Sequence, residues 1–134
     1  MLTVKQQQFL LNNEGLIESK PRLIDLRDAA LAQGLSGIEA AGLLILYAEA
    51  SKLYFIEISV WETMRMPDDF SVRILLINKG DQHKDYVTLD YGSFSHRPSG
   101  TEMADLLRSD LSKKFGIRVD QIPGLISDIK WGTT

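Results

Sequence analysis

The chain has 134 residues, 44% hydrophobic and 25% charged, with a net charge of −3 and no cysteine. That length fits one domain, able to bury roughly two-thirds of its unfolded surface without a staple. The lack of Cys excludes disulfide frameworks, thiolate catalysis and cysteine-based zinc sites. Charges of both signs run evenly from end to end, so the basic footprint that gives nucleic-acid binders their affinity is missing.

The opening residues combine one lysine with a short apolar run, which does not make a secretory signal, and the expected location is cytoplasmic. Thr3 and Gln6 form a capping box that predicts a helix through about Asn13, with Gly15 as its left-handed stop and Leu16 as the apolar contact beyond it. A second helix is expected after Ser19, with Pro21 in its first turn and Leu23, Leu26, Ala30 and Leu31 on one side, ending at Gly34. Ser36 then caps a third helix whose residues 38–50 are apolar on nearly every side. Such a helix is stable only when surrounded, so it is read as the buried axis of the core. Bracketed by Glu39 and Glu49, it falls well short of the ~20 apolar residues of a membrane span, and no membrane partner is expected.

From residue 53 the apolar period switches to two. In 53–62, Tyr54, Ile56, Ile58 and Val60 share one face, opposite Leu53, Phe55, Glu57, Ser59 and Trp61. In 70–78, Phe70, Val72, Ile74 and Leu76 oppose Ser71, Arg73, Leu75 and Ile77. In 84–91, Val87, Leu89 and Tyr91 oppose Lys84, Tyr86, Thr88 and Asp90. The connections are short and rich in turn formers, which predicts an antiparallel meander. Ser99 and Glu102 resemble a second capping box, and Met103, Leu107, Leu111 and Phe115 form a helical stripe up to Gly116. In the tail, Leu125, Ser127, Ile129 and Trp131 alternate like a strand while Pro123 equally suits the opening of one or two helical turns, and the helical or irregular reading is favoured. The fold class is therefore α+β: one domain, 1–134, with N-terminal helices on a three-stranded meander, then an amphipathic helix and a short C-terminal element.

Three patterns bear on function. The stretch 29–44 has the small residue, turn glycine and apolar position of a helix-turn-helix, at Ala30, Gly34 and Leu35. Its second helix offers no Arg, Lys, Asn or Gln to base edges, so nucleic acid is an unfavoured partner. The loop 92–101 carries Ser95, His96, Arg97, Ser99 and Thr101 into a helix start, which suits a phosphate or carboxylate. Both histidines, His83 and His96, flank the third strand, and the strand between them holds them too far apart for one catalytic cluster. Finally, if helices cover one sheet face, the other presents Phe55, Trp61, Arg73 and Tyr86, a composition typical of protein contact surfaces. The hairpin tip with Met64, Met66 and Asp68 is a smaller contact candidate.

No catalytic constellation, metal site or cofactor motif is present in the sequence. It reads as a non-catalytic interaction module, a small acidic regulator, inhibitor or adaptor, whose partner is a protein or a second copy of the chain. The alternatives are a small anionic-ligand binder or small enzyme using 92–101, and a DNA-binding regulator using the helical hairpin.

Overall fold

In the computed structural model, which describes residues 2–62 and 69–132, the order is α1 (Val4–Asn12), α2 (Glu14–Glu18), α3 (Leu23–Ala32), α4 (Gly37–Ser51), β1 (Tyr54–Glu62), β2 (Phe70–Asn78), β3 (Tyr86–Phe94), α5 (Gly100–Phe115), α6 (Pro123–Ser127) and β4 (Lys130–Trp131). A 3₁₀ turn, Val119–Gln121, precedes α6. The fold is α+β, with the strands in the order β3-β2-β1-β4. The first three strands are the expected antiparallel meander. The tail, expected to be helical or irregular, instead ends in β4, which pairs parallel to β1 through Glu57 and Ile58 and makes the sheet four-stranded and mixed.

The all-round apolar helix α4 is the axis of the core. Leu43, Leu44, Ile45 and Ala48 are fully enclosed, between α3, α5, α6 and the inner sheet face. The Ser36–Glu39 capping box opens it as expected, and Thr3 adds a hydrogen bond from its hydroxyl to the Glu39 carboxylate. Gly42 lets α4 approach its neighbours closely. A methyl there would lie 3.0 Å from the Phe115 carbonyl oxygen and 3.1 Å from Gln6 Nε2.

Several local expectations change. Gly15 does not stop α1. The chain breaks at Asn13 and Gly15 lies within α2. Pro21 lies ahead of α3, whose cap is Arg22, and Leu31 is exposed rather than buried. Ser99 does accept from the Glu102 backbone, but the Glu102 side chain turns to His96 and does not complete the box. β3 runs on past Tyr91 to Phe94 because the register shifts there: Val72 pairs with Gly92 and Arg73 with Asp90, leaving Tyr91 as an extra residue. That bulge keeps both Tyr91 and Phe94 on the helix side, where their rings stack 6.5 Å apart. The hairpin tip with Met64, Met66 and Asp68 lies outside the described residues.

Helix α3 has no capping side chain of its own. Its cap comes from the sheet, where the buried Asp85 carboxylate accepts from the Leu23 backbone N–H at 2.8 Å. The same carboxylate accepts from the Tyr54 hydroxyl and from Asn78 Nδ2 at 3.0 Å. Burial, followed by the Asp85 hydrogen bond and charge, pushes the Tyr54 phenol well above its ordinary range.

Asp85→Ala strands three donors and is expected to cost about 3 to 5 kcal/mol in a denaturant titration. Tyr54→Phe should cost about 1 to 2 kcal/mol. In the unfolded chain a phenol ionises near ~10, whereas Tyr54 in the fold stays neutral to higher pH. Its contribution is thus complete below pH ~10 and falls as pH rises beyond it. Tyr54→Phe should flatten that alkaline decline; an unchanged slope would show that Tyr54 does not set it.

Candidate functional site

Every helix lies on one face of the sheet, and the side chains of Tyr54, Ile56, Ile58, Val60, Val72, Ile74, Leu76, Val87 and Leu89 join the helices in one apolar cluster. The period-two reading of the three strands placed all of these inward. The outward set takes no part in that cluster. It is organised in rows across the strands: Phe55, Ile77 and Tyr86; then Glu57, Leu75 and Thr88; then Ser59, Arg73 and Asp90; then Trp61, Ser71 and Ser93. No described helix covers these rows.

The four residues singled out on this face fall into two kinds. Trp61 and Tyr86, three rows apart on this face, are 49% and 47% exposed, and Leu53, at the Tyr86 end, is 50% exposed. Arg73 holds the middle, with its guanidinium carbon 5.4 Å from the Trp61 ring centroid and its Nε 3.7 Å from Asp90 Oδ1. Phe55, in contrast, is only 4% exposed. The Lys130 ammonium, brought alongside by β4, lies 4.3 Å above its ring. Phe55 is therefore a support under the surface, and the surface itself is Leu53, Trp61, Arg73 and Tyr86. The tail contributes Lys130 to this face, while Trp131, next along β4, lies toward α5 against Gly100. Lys130 was not singled out for this face, because the strand-like alternation of Leu125, Ser127, Ile129 and Trp131 competes with the helix that Pro123 opens.

The loop candidate is arranged differently. Ser99 is spent on capping α5. His96 Nε2 is 3.0 Å from Glu102 Oε2, so a carboxylate of the chain itself stands at the start of α5. The His96 ring, above other causes, holds the Glu102 carboxyl below its ordinary range. An incoming anion would have to displace that charge. Thr101 is exposed, and Arg97 already interacts within the chain.

The hollow among the helices gathers no chemistry. It is apolar, of about 210 Å³, and lies among Phe9, Ile17, Leu26, Leu43, Leu46 and Tyr47. The Tyr47 hydroxyl at its wall already donates to the Pro21 carbonyl. Among the described residues no group of three or more His, Asp or Glu could hold a metal ion, and no helix is long and apolar enough to cross a membrane. No family model, curated protein or solved structure matches the chain.

The helix-turn-helix geometry also loses its reader, because α4, the helix that would enter a DNA groove, is enclosed in the core. Nor do the scattered cations converge. Lys113 pairs with Asp110 and Arg118 with Asp120, Lys114 lies over Tyr91, and Lys130 is on the outer sheet face.

Because Glu102 already occupies the start of α5, phosphate is expected to leave the melting temperature unchanged in a thermal-shift titration. A rise that Arg97→Ala removes would restore the loop as a ligand site.

Proposed function

We propose that this protein is a non-catalytic interaction module, a small acidic regulator, inhibitor or adaptor, that binds a protein partner through the outer face of its sheet. The observation that carries this reading is the one-sided placement of the helices. It leaves Trp61, beside Arg73 at one end of the face, and Tyr86 and Leu53, at the other end, in water. Exposed apolar area of that kind is a cost to a free monomer and a gain on association. Tryptophan, tyrosine and arginine are also the residues that concentrate binding energy in protein interfaces.

The face is built to be presented rather than remodelled. Arg73 is held between Trp61 and Asp90, so little side-chain freedom remains to be lost on binding. Phe55 beneath Lys130, and Ile77 in the same row, give that surface a packed floor. The even balance of Arg73 and Lys130 against Glu57 and Asp90 favours a partner surface that is mainly apolar and aromatic over one of strong single-sign charge.

The test uses proteins captured from the native lysate by the tagged chain, each then purified and titrated against wild type and variants. Trp61→Ala and Arg73→Ala should each weaken a stoichiometric partner at least about tenfold, with the melting temperature nearly kept because both side chains are half exposed. A partner that binds both variants as tightly as wild type would remove the outer face as the binding site.

A further inference from the structure

The two edges of the sheet are unequal. The β1 edge receives β4 at Glu57 and Ile58 and a further bond from the Gly132 N–H to the Ile58 carbonyl. β3 forms the other edge, and among the described residues no strand lies beyond it. In an antiparallel ladder, opposed residues alternate between pairs that exchange backbone hydrogen bonds and pairs that turn those groups away. The Asn78 N–H donates to the Asp85 carbonyl at 2.9 Å, which sets the phase. Leu76 with Val87 and Ile74 with Leu89 are then the bonded pairs, and Tyr86, Thr88 and Asp90 point their N–H and C=O groups to the open side. Among the described residues none of those groups has a backbone partner outside the sheet.

Natural edges of this length are usually guarded by lysine, proline or a bulge within the strand. β3 has no Lys or Pro between Tyr86 and Phe94; its guards are the exposed charge of Asp90 and the bulge at Tyr91, both at the end of the regular segment. That segment, 86–90, reads Tyr-Val-Thr-Leu-Asp, and it is complementary to itself when reversed. With Thr88 opposite Thr88 of a second copy, Tyr86 stands opposite Asp90 on the outer face and Val87 opposite Leu89 on the helix side. Val87 and Leu89 are already enclosed by their own helices, so the side-chain match lies on the outer face, where phenol meets carboxylate and threonine meets threonine. The residues facing each other at Tyr86, Thr88 and Asp90 are also the ones with free backbone groups, so the hydrogen-bond phase agrees with the side-chain match.

Neighbouring registers fail on one count or the other. Centring on Asp90 sets two carboxylates against each other and runs into the bulge. Centring on Val87 sets the buried Asp85, already committed to three donors, against Leu89.

We propose that two copies of this chain associate antiparallel through β3, about a twofold axis at Thr88, to form one continuous sheet with four strands from each copy. The outer faces then lie side by side. The edge and the partner face share Tyr86, and Arg73 adjoins the edge through Asp90, whereas Trp61, on β1, lies two strands away from it.

Sedimentation velocity of the full chain across concentrations up to about 1 mM tests it. The expected wild-type result is a concentration-dependent dimer. Thr88→Pro removes an N–H that faces the open side, a position where edge strands accept proline; it should give a monomer with an unchanged far-ultraviolet spectrum. Thr88→Lys and Thr88→Glu should each weaken the dimer at least about tenfold by opposing like charges across the axis. An equimolar mixture of the two should recover it, which only a register pairing position 88 with itself predicts. A wild-type monomer throughout the series, or a dimer indifferent to the Lys and Glu variants, overturns the proposal. So does a dimer lost in Trp61→Ala but kept in the Thr88 variants, since the copies would then meet through their faces.

Discussion

One buried carboxylate ties α3, in the helical layer, to all three strands of the meander. Asp85, just ahead of β3, takes a backbone N–H from the first residue of α3, a phenol from β1 and an amide from the last residue of β2. A negative group at a helix start is favourable in itself, since four backbone donors there lack intrahelical partners. Here it is also buried, so its three donors are what make its presence tolerable. Glu49 repeats the device at the other end of the core. From α4 it accepts the Gly124 and Leu125 backbone N–H groups at 3.0 and 2.8 Å and so holds α6, and with it the tail that supplies β4. Both carboxylates act as helix caps delivered from distant positions.

That arrangement explains what could and could not be read from the residues in order. Period-two alternation placed the inward residues of β1, β2 and β3 because each strand has one face on helices and one without. The run 38–50 announced a buried helix because its apolar residues leave no continuous polar face to turn to water. Local caps were legible at Thr3 and Ser36, where the partner is three residues away. The caps of α3 and α6 were not, because their acceptors stand 62 and 75 positions off. Gly15 misled for a related reason: a left-handed stop and a helical restart use the same residue, and the neighbouring break at Asn13 chose the restart. The extent of β3 was hidden by the Tyr91 bulge, which breaks the alternation without ending the strand.

The candidate surface was legible as a composition but not as an open face. Whether Trp61 and Tyr86 met water depended on where the tail went, and the tail pairs with the β1 edge instead of crossing the outer face. Phe55 shows the limit of parity: it points outward like Trp61, yet the Lys130 stem and ammonium cover it. Alternation assigns a side, and the neighbours on that side decide exposure.

The distance between Glu49 and Gly124 carries a consequence for how the molecule is made. While the polypeptide emerges from the ribosome, α4 and the β1–β2–β3 meander are complete long before the residues that close the β1 edge exist. Contacts spanning 75 positions are among the last to form on entropic grounds as well. For that interval the nascent chain carries two unpaired strand edges instead of one. The β1 edge in that state is as open as the β3 edge, until β4 arrives to pair with Glu57 and Ile58.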